Sequence, residues 1–232
     1  MSYLTMVVPT YNDLESLKEL IALIDAQKSE TVRYLIVDNG SNNQQVTNVL
    51  ALSSPFWNSI QLNENAGFGG GISAGIKYAE TDFVGWMPGN LKILPKNVEE
   101  MVKNISFTPN IFVKCRRIRS SKLARTKTFL AGLVQSIISG QYLFDTGGTP
   151  TICKRDFFLG ITDLPTDYII ESRILFEAKS QGLGILRPKI EYGERRFGES
   201  HWQRGLRTEL RLMKAISKDS IYIRRKRKFE KN

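Results

Sequence analysis

The stretch YLTMVVPTYNDLESLKELIALIDAQ, residues 3–27, decides the fold class of this chain. Its first part is a short apolar run closed by Pro9, which predicts a buried strand. From residue 13 onward the apolar side chains recur at helical spacing, at Leu14, Leu17, Leu20, Ile21 and Ile24. A strand that leads through a polar turn into a helix is the building unit of a sheet covered by helices.

The same unit recurs along the first half of the chain. Apolar runs within residues 32–43 and 59–80 each end in a polar or glycine-containing turn that precedes a helical pattern. DFVGWM (82–87) is the next predicted strand, and PKNVEEMVKNI (95–105) is a predicted helix with proline at its start. This alternation predicts an α/β fold of the doubly wound, Rossmann-like type, with a mostly parallel sheet flanked by helices.

Four polar turns end these strands, at residues 10–12, 38–43, 63–71 and 88–90. Ligands of such sheets bind outside the carboxyl ends of the strands, so we expect the four turns to converge on one cleft. The glycines of the third turn would let backbone N–H groups approach a diphosphate, or would simply pack a helix on the sheet. Asp38 would accept hydrogen bonds from a ribose or a base, or would form an Asx-turn that caps the next helix.

The pattern is less regular after residue 110. IFVK (111–114) predicts a strand, and a basic segment then leads into an amphipathic helix that includes residues 129–144. Further strands are predicted within residues 149–158 and 183–196, and a helix at 168–182 is stopped by its terminal glycine. Glu171 falls at the entrance of that helix, where a surface carboxylate is the ordinary explanation.

Positive charge is concentrated at the C-terminal end. The chain of 232 residues carries a formal net charge of +10, and residues 201–232 hold eleven Lys and Arg against three acids, a local charge of +8. Such a tail suits an anionic surface, either lipid headgroups or nucleic acid, unless it is only a solvated end. It lacks the interleaved aromatic residues of a single-strand binding platform, so we expect no nucleic-acid partner.

Cysteine and histidine usage excludes several kinds of site. The chain has two cysteines, Cys115 and Cys153, far apart in sequence, and one histidine, His201. This spacing argues against a disulfide framework or a zinc site, and the single histidine argues against Ser-His-Asp chemistry. The start MSYLTMVVPT lacks the basic region and the long apolar core of a signal peptide, so we expect a cytoplasmic protein.

Five motifs, taken in order, resemble the family 2 glycosyltransferases, which have the GT-A fold. They are VVPTYND (7–13), LIVDNGSNN (35–43), NENAGFGGGISAGIKYA (63–79), DTGGTPTICKRDFF (145–158) and PKIEYGERRFGES (188–200). The last two are most similar to the branch that transfers sugars to polyprenyl phosphates, such as the dolichyl-phosphate mannose synthases. The resemblance implies a GT-A domain at residues 1–205, followed by a basic helical tail at 206–232.

The resemblance also implies roles for individual residues. The positions that match nucleotide-sugar contacts are Pro9, Thr10, Tyr11, Asn12, Asp38, Asn65, Gly67 and Asn90. The positions that match acceptor-phosphate contacts are Arg116, Arg125 and Ser200.

Three further residues match catalytic positions of the family. Asp145 matches the acid that opens the next active-site strand, although the usual Ser-Gly-Phe-Arg reads Gly-Thr-Pro-Thr here. Glu171 matches the acid of a helix that begins Phe-Asp-x-Glu. Arg195, with Gly198 and Ser200, fits an Arg-x-x-Gly-x-Ser signature whose arginine would contact phosphate.

The metal-binding motif of the family is altered in this chain. Pro88, Gly89 and Asn90 stand where relatives have Asp-x-Asp. Proline has no ligating side chain and asparagine is neutral, whereas Mg²⁺ and Mn²⁺ sites rely on carboxylates, so a divalent cofactor would be held weakly at best. Three explanations stay open. In the first, the enzyme is metal-independent and the positive charge comes from Arg116, Arg125, Arg195 and Lys92. In the second, the diphosphate and Asp145 hold the metal. In the third, the chain is a degenerate transferase that binds without turnover.

The resemblance implies an inverting enzyme that moves a sugar from a UDP- or GDP-sugar to a polyprenyl phosphate or a lipid-linked glycan. An anionic acceptor needs little general base, whereas a sugar hydroxyl would need one, for which Glu171 is the candidate. The segment 129–144 and the basic tail would hold the protein on the anionic cytoplasmic face of a membrane. The alternative is a catalytically silent binding protein in a polysaccharide assembly complex.

Overall fold

The computed structural model describes residues 3–52, 54–118, 122–197 and 205–229. The strands in these ranges are β1 (Leu4–Thr10), β2 (Val32–Asp38), β3 (Trp57–Gln61), β4 (Phe83–Trp86), β5 (Ile111–Lys114), β6 (Arg116–Ile118), β7 (Thr151–Lys154), β8 (Gly184–Leu186) and β9 (Lys189–Glu191). The helices are α1 (Leu14–Gln27), α2 (Gln44–Leu50), α3 (Gly67–Tyr78), α4 (Pro95–Lys103), α5 (Lys122–Ser139), α6 (Arg155–Leu159), α7 (Ile170–Ser180) and α8 (Gly205–Phe229).

Seven of the strands form one sheet in the order β3-β2-β1-β4-β7-β5-β8. Every pairing in it is parallel except those of β7, which runs antiparallel to both β4 and β5. The carboxyl ends of β1 to β5 and β8 therefore lie at one edge, together with the first residue of β7. The predicted mostly parallel α/β sheet is confirmed.

Alternate residues of β1 build two cores on opposite faces of this sheet. Leu4, Met6 and Val8 pack with the apolar side of α1 in one cluster of buried residues. Val7 packs with buried residues of α3, β4 and α7 in the other. Because side chains of a strand alternate between faces, the continuous apolar run of β1 feeds both cores.

The region predicted as one strand at 183–196 forms two. Pro188 separates β8 from β9, since proline cannot donate a ladder hydrogen bond and its fixed φ interrupts the strand. Strand β9 pairs with β6 in a small second sheet, and β6 itself was not predicted within the basic segment. This small sheet places residues 192–197 beside the carboxyl edge of the main sheet.

Helix α8 packs against the globular part of the chain. Ile223 is fully buried in the same core as α7, and the carboxylate of Asp219 accepts hydrogen bonds from Arg173 and Ser172 of α7. Arg173 also lies over the ring of Tyr222, 3.6 Å from its centroid. Among the described residues, no helix is both long enough and apolar enough to cross a membrane.

Candidate active site

The turns after β1 and β2 are joined by hydrogen bonds at the carboxyl edge. The backbone N–H of Asn39 donates to Thr10 O at 2.9 Å, and that of Asn12 donates to Ser41 Oγ at 2.8 Å. The side chain of Asn12 in turn accepts from the backbone N–H of Asn42. Tyr11 stays exposed beside them. The structure thus brings the predicted nucleotide residues of the first turn against the second turn.

Asp38 organises the second turn from a buried position. Its side chain is fully buried, Oδ1 accepts from the backbone N–H of Ser41 at 3.0 Å, and Oδ2 accepts from Gln61 at 3.0 Å. The side chain of Asp38 does bond to the backbone of its own turn, but three residues on and not two as in an Asx-turn. The expected helix cap is also wrong, because Asn43 caps α2. The ribose or base contact of Asp38 stays a prediction.

Asn39 connects the second turn to the glycine-rich turn, and it was missed from the sequence. Its amide group donates to Gly67 O at 2.9 Å and to Asn65 Oδ1 at 3.2 Å, and it accepts from the backbone N–H of Ala66 at 3.1 Å. Gly67 has φ +77°, and a Cβ there would lie 2.5 Å from Thr166 O. The signal for Asn39 was its place directly after Asp38 at a strand end.

The fourth turn also lies at this edge, next to the end of β1. A Cβ on Gly89 would lie 3.1 Å from Val8 Cγ1 and 3.3 Å from Pro9 O. On the other side of β1, a Cβ on Gly71 would lie 3.1 Å from Pro9 Cβ. The four predicted turns are therefore brought together around the end of β1.

The Pro88–Asn90 turn does not fit a divalent cation. Proline and glycine offer no side-chain ligand, and the amide oxygen of Asn90 accepts from the backbone N–H of Lys92. Across the parts of the chain that the structure describes, no three His, Cys, Asp or Glu side chains group together as metal ligands would. The residues at the family's metal position thus lack the donor set for Mg²⁺ or Mn²⁺.

Glu171 is buried, so the expectation of a surface carboxylate is wrong. Its side chain is 1% exposed and forms an ion pair with Lys114, which is 0% exposed. Trp86 Nε1 donates to Oε1 at 3.0 Å, and Thr151 donates to Oε2. Burial lowers the pKa of Lys114, while the charge of Glu171 opposes that shift. Folding places this carboxylate beneath the carboxyl edge because α7 packs on the sheet through its first turn.

Asp145 forms a second ion pair near the same edge. Arg117 Nη2 lies 2.5 Å from its Oδ1, and both side chains are about nine-tenths buried. Burial alone would raise the pKa of Asp145, but Arg117, followed by Arg187 and Lys114, lowers it below its ordinary value. The sequence did not single out Arg117; the resemblance assigns a phosphate contact to its neighbour Arg116, which is exposed.

Arg195 reaches the first turn from the C-terminal side of the chain. Its Nη2 lies 2.6 Å from Asp13 Oδ2, and Asp13 is the N-cap of α1, directly after Asn12. The structure therefore places this predicted phosphate ligand beside the nucleotide turns. Arg125 belongs to α5, but its side chain is outside the described part of the structure. Ser200 and Gly198 lie outside the described residues altogether.

A family model for glycosyl transferase family 2 matches residues 5–158. The chain belongs to glycosyltransferase family 2. The matched range holds β1 to β4, the four turns and β7, so the altered Asp-x-Asp position lies inside a domain of this family.

Curated relatives match shorter segments. An uncharacterized glycosyltransferase of Rickettsia conorii is 26% identical over 98 residues, which are 42% of this chain and 16% of that protein. An uncharacterized glycosyltransferase of Rickettsia prowazekii is 24% identical over 113 residues, 48% of this chain and 35% of that protein. The chain thus matches far less than two thirds of the length of these relatives.

Solved structures match nearly the whole chain. Glucosyl-3-phosphoglycerate synthase from Mycobacterium tuberculosis, in complex with Mn²⁺, UDP-glucose and phosphoglyceric acid, has a TM-score of 0.69 at 17% identity. The match covers 96% of this chain and 79% of the synthase. The same synthase with Mg²⁺ and UDP has a TM-score of 0.66 at 15% identity, covering 96% and 78%. At such identities the likeness concerns the fold, and it confirms the predicted GT-A architecture.

Proposed function

We propose that this family 2 protein is an inverting glycosyltransferase that moves a sugar from a UDP- or GDP-sugar to a polyprenyl phosphate or lipid-linked glycan. It works at the cytoplasmic surface of a membrane. The catalytic GT-A part is residues 1–205, and residues 206–232 form the membrane-facing basic tail. The observation that best supports a lipid acceptor is an exposed apolar stripe on α5 beside the basic helix α8.

The donor would bind over the β1–β3 half of the carboxyl edge. Three of the polar turns meet there, and hydrogen bonds from the backbone and the side chain of Asn39 join them into one network. Such a network fixes the backbone of the turns before a ligand arrives, which lowers the entropy cost of binding. Arg195 lies at the rim of this half through its contact with Asp13, where a guanidinium can meet phosphate oxygens.

The state of Glu171 favours an acceptor that is already an anion. A general base must lie within hydrogen-bond reach of the hydroxyl that it deprotonates. Glu171 is buried and engaged by Lys114 and Trp86, which leaves it poorly placed for that task. A phosphate acceptor needs no deprotonation. Its oxygen forms the new bond to the anomeric carbon from the opposite face, while the bond to the diphosphate breaks and its electron pair leaves with the nucleoside diphosphate.

Helix α5 presents the apolar stripe. Its members are between 42% and 69% exposed and recur at helical spacing: Phe129, Leu130, Leu133 and Ile137. Helix α8 packs beside α5, close enough that a Cβ on Gly140 would lie 3.0 Å from Arg227 Nη1. Exposed cations on α8 are Lys214, Lys218, Arg224 and Arg225. An apolar face with basic neighbours is the combination that attaches a helix to an anionic bilayer surface.

The test is transfer of labelled sugar from UDP- and GDP-sugars to polyprenyl phosphate in vesicles of phosphatidylserine and phosphatidylcholine. We expect product with inverted anomeric configuration, and co-flotation of the protein with these vesicles but weakly with pure phosphatidylcholine. Leu133→Glu with Ile137→Glu should abolish flotation and reduce transfer to the vesicle-bound acceptor. Leu52→Glu changes another exposed leucine, 62% exposed and two residues after α2, and serves as the control. Absence of transfer to every lipid-phosphate acceptor would refute the proposal.

A second candidate is a catalytically silent GT-A protein that acts as a partner in a polysaccharide assembly complex. The Pro88–Asn90 turn favours it, because relatives with acids there use a metal to neutralise the leaving diphosphate. Calorimetry and turnover measurements with and without EDTA separate the two candidates. Nucleotide binding without turnover under every condition supports the silent protein, whereas turnover that persists in EDTA supports a metal-independent enzyme.

A further inference from the structure

A group of cations lies over the β5–β8 half of the carboxyl edge. Lys114 ends β5, Arg117 lies in β6, and Arg187 directly follows β8. Strands β5 and β8 are parallel, and the strand order places them on the opposite side of β4 from the nucleotide turns. Lys114, Arg117 and Arg187 are called the cation cluster below, and the carboxylate of Asp145 lies against it.

The two arginines of the cation cluster hold one segment between them. Arg117 forms its ion pair with the carboxylate of Asp145, while Arg187 Nη2 donates to the backbone oxygen of Phe144 at 2.6 Å. The turn that follows comes close to Arg117 because it contains glycine. A Cβ on Gly147 would lie 3.2 Å from Arg117 Nη2. Both guanidinium groups are thus fixed against a turn at the carboxyl edge.

Each arginine also has a buried N–H group without an acceptor. Arg117 Nε and Arg187 Nη1 are both buried, and neither donates a hydrogen bond within the described residues. Buried donors in native proteins nearly always have an acceptor, so two buried N–H groups without one indicate that a polar partner is missing. Within the described residues, the carboxylates that act on Lys114, Arg117 and Arg187 are those of Asp145 and Glu171, which are two negative charges against three positive charges. A partner that supplies acceptor oxygens and negative charge satisfies both conditions.

Aromatic side chains link the cation cluster to two of the turns of the candidate site. Arg117 packs on the ring of Tyr192 at 5.5 Å, and Lys92, two residues after the Pro88–Asn90 turn, packs on the same ring at 5.6 Å. On the other side, a Cβ on Gly147 would meet Tyr168 Oη at 2.4 Å. The Tyr168 ring contacts Phe68, in the first turn of α3, at 5.7 Å. A diphosphate that extends from the nucleotide turns past the altered metal position, toward the ends of β5 and β8, would meet the cluster.

We propose that Arg117 and Arg187 form a phosphate subsite that binds the diphosphate of the nucleotide-sugar donor and supplies the positive charge that carboxylate-bound metal supplies in relatives. The inference deepens the proposed function and rests on it. A planar guanidinium offers several donors to phosphate oxygens and keeps its charge at every physiological pH. Its positive charge stabilises the nucleoside diphosphate as the bond to the sugar breaks.

Calorimetry in EDTA tests the subsite with UDP, GDP and pyrophosphate, and with uridine and guanosine as probes that lack phosphate. We expect the wild type to bind a nucleoside diphosphate without metal. Arg187→Gln should weaken diphosphate and pyrophosphate binding by about tenfold or more, the loss of one charge-assisted hydrogen bond, and leave nucleoside binding unchanged. Arg187→Lys should recover part of the affinity.

Arg117→Gln removes the partner of Asp145, so its effect on folding has to be separated from its effect on binding. Arg117→Gln with Asp145→Asn keeps the net charge and leaves no unpaired buried carboxylate, and should show the same loss of diphosphate binding with a thermal midpoint closer to the wild type. Arg33→Gln is the matched control, since Arg33 is exposed near the start of β2, at the opposite edge of the sheet. It should leave every affinity unchanged.

The outcomes distinguish the subsite from the proposed function. Diphosphate binding that is equal in wild type and variants, or that requires added Mg²⁺ or Mn²⁺ in the wild type, would overturn the subsite and leave the transferase proposal standing. Variants that lose affinity for farnesyl phosphate but not for UDP or GDP would overturn the assignment to the donor. A wild type that binds no nucleoside diphosphate under any condition would overturn both proposals.

Discussion

The buried ion pair between Lys114 and Glu171 offers the sharpest test of how the site is built. Glu171→Gln preserves the size of the side chain and the acceptor for Trp86 Nε1. It replaces the charged oxygen that accepts from Lys114 and Thr151 by a neutral NH2 group. Lys114 is completely buried, and its described polar partners are Glu171 and Thr151. The substitution therefore leaves an ammonium group in the interior without the carboxylate that is hydrogen-bonded to it.

Removing one partner of a buried ion pair costs about 3–5 kcal/mol of unfolding free energy. For a chain of this size each kcal/mol lowers the thermal midpoint by roughly 2–4 °C, so Glu171→Gln should lower it by about 6–20 °C. Scanning calorimetry and urea unfolding measure the two quantities. Lys114→Met combined with Glu171→Gln buries no charge, so the double variant should regain at least half of the lost stability.

Glu15→Gln is the control for this experiment. Glu15 also pairs with a lysine, but both side chains are at least half exposed, so the loss should stay within about 0.5 kcal/mol. A Glu171→Gln protein as stable as the Glu15→Gln protein would refute the reasoning, because it would mean that the pair is not buried and charged. A double variant less stable than either single variant would refute it as well.

Two further changes test the turns of the site. Gly67→Ala places a Cβ 2.5 Å from Thr166 O at φ +77°, so it should lower the free energy of unfolding by about 1–3 kcal/mol and weaken UDP or GDP binding. The control is Gly182→Ala, which has φ +72° but open space around the Cβ; it should lower the free energy of urea unfolding by about 1 kcal/mol and leave binding unchanged. Equal losses of stability in the two variants would contradict the steric argument. Asp145→Asn should destabilise the protein at neutral pH. Because Arg117 lowers the pKa of Asp145 in the folded protein, the charged carboxylate stabilises the fold above the unfolded pKa of about 4. The difference in free energy of unfolding between the wild type and Asp145→Asn should therefore narrow as pH falls below that value. A difference that stays constant between pH 7 and pH 3 would contradict this reasoning.

Most of the fold could be predicted because its signals are local. A strand, a polar turn and a helix are each encoded by neighbouring residues, so the order of β1 to α4 followed from periodicity and turn composition. The convergence of the four turns also followed, since the carboxyl ends of parallel strands meet at one edge. The pairing of β6 with β9 could not be predicted, because each strand has three residues and a short strand has almost no pattern of its own.

The sequence by itself determined the α/β class, the family resemblance, and the absence of carboxylates at Pro88–Asn90, because each depends on residue identity along a continuous stretch. Only the tertiary structure decided which charges meet. Lys114 pairs with Glu171 across 57 positions, Arg117 with Asp145 across 28, and Arg195 with Asp13 across 182. The charge state of a site depends on burial and on partners brought together by packing, and no local pattern encodes either.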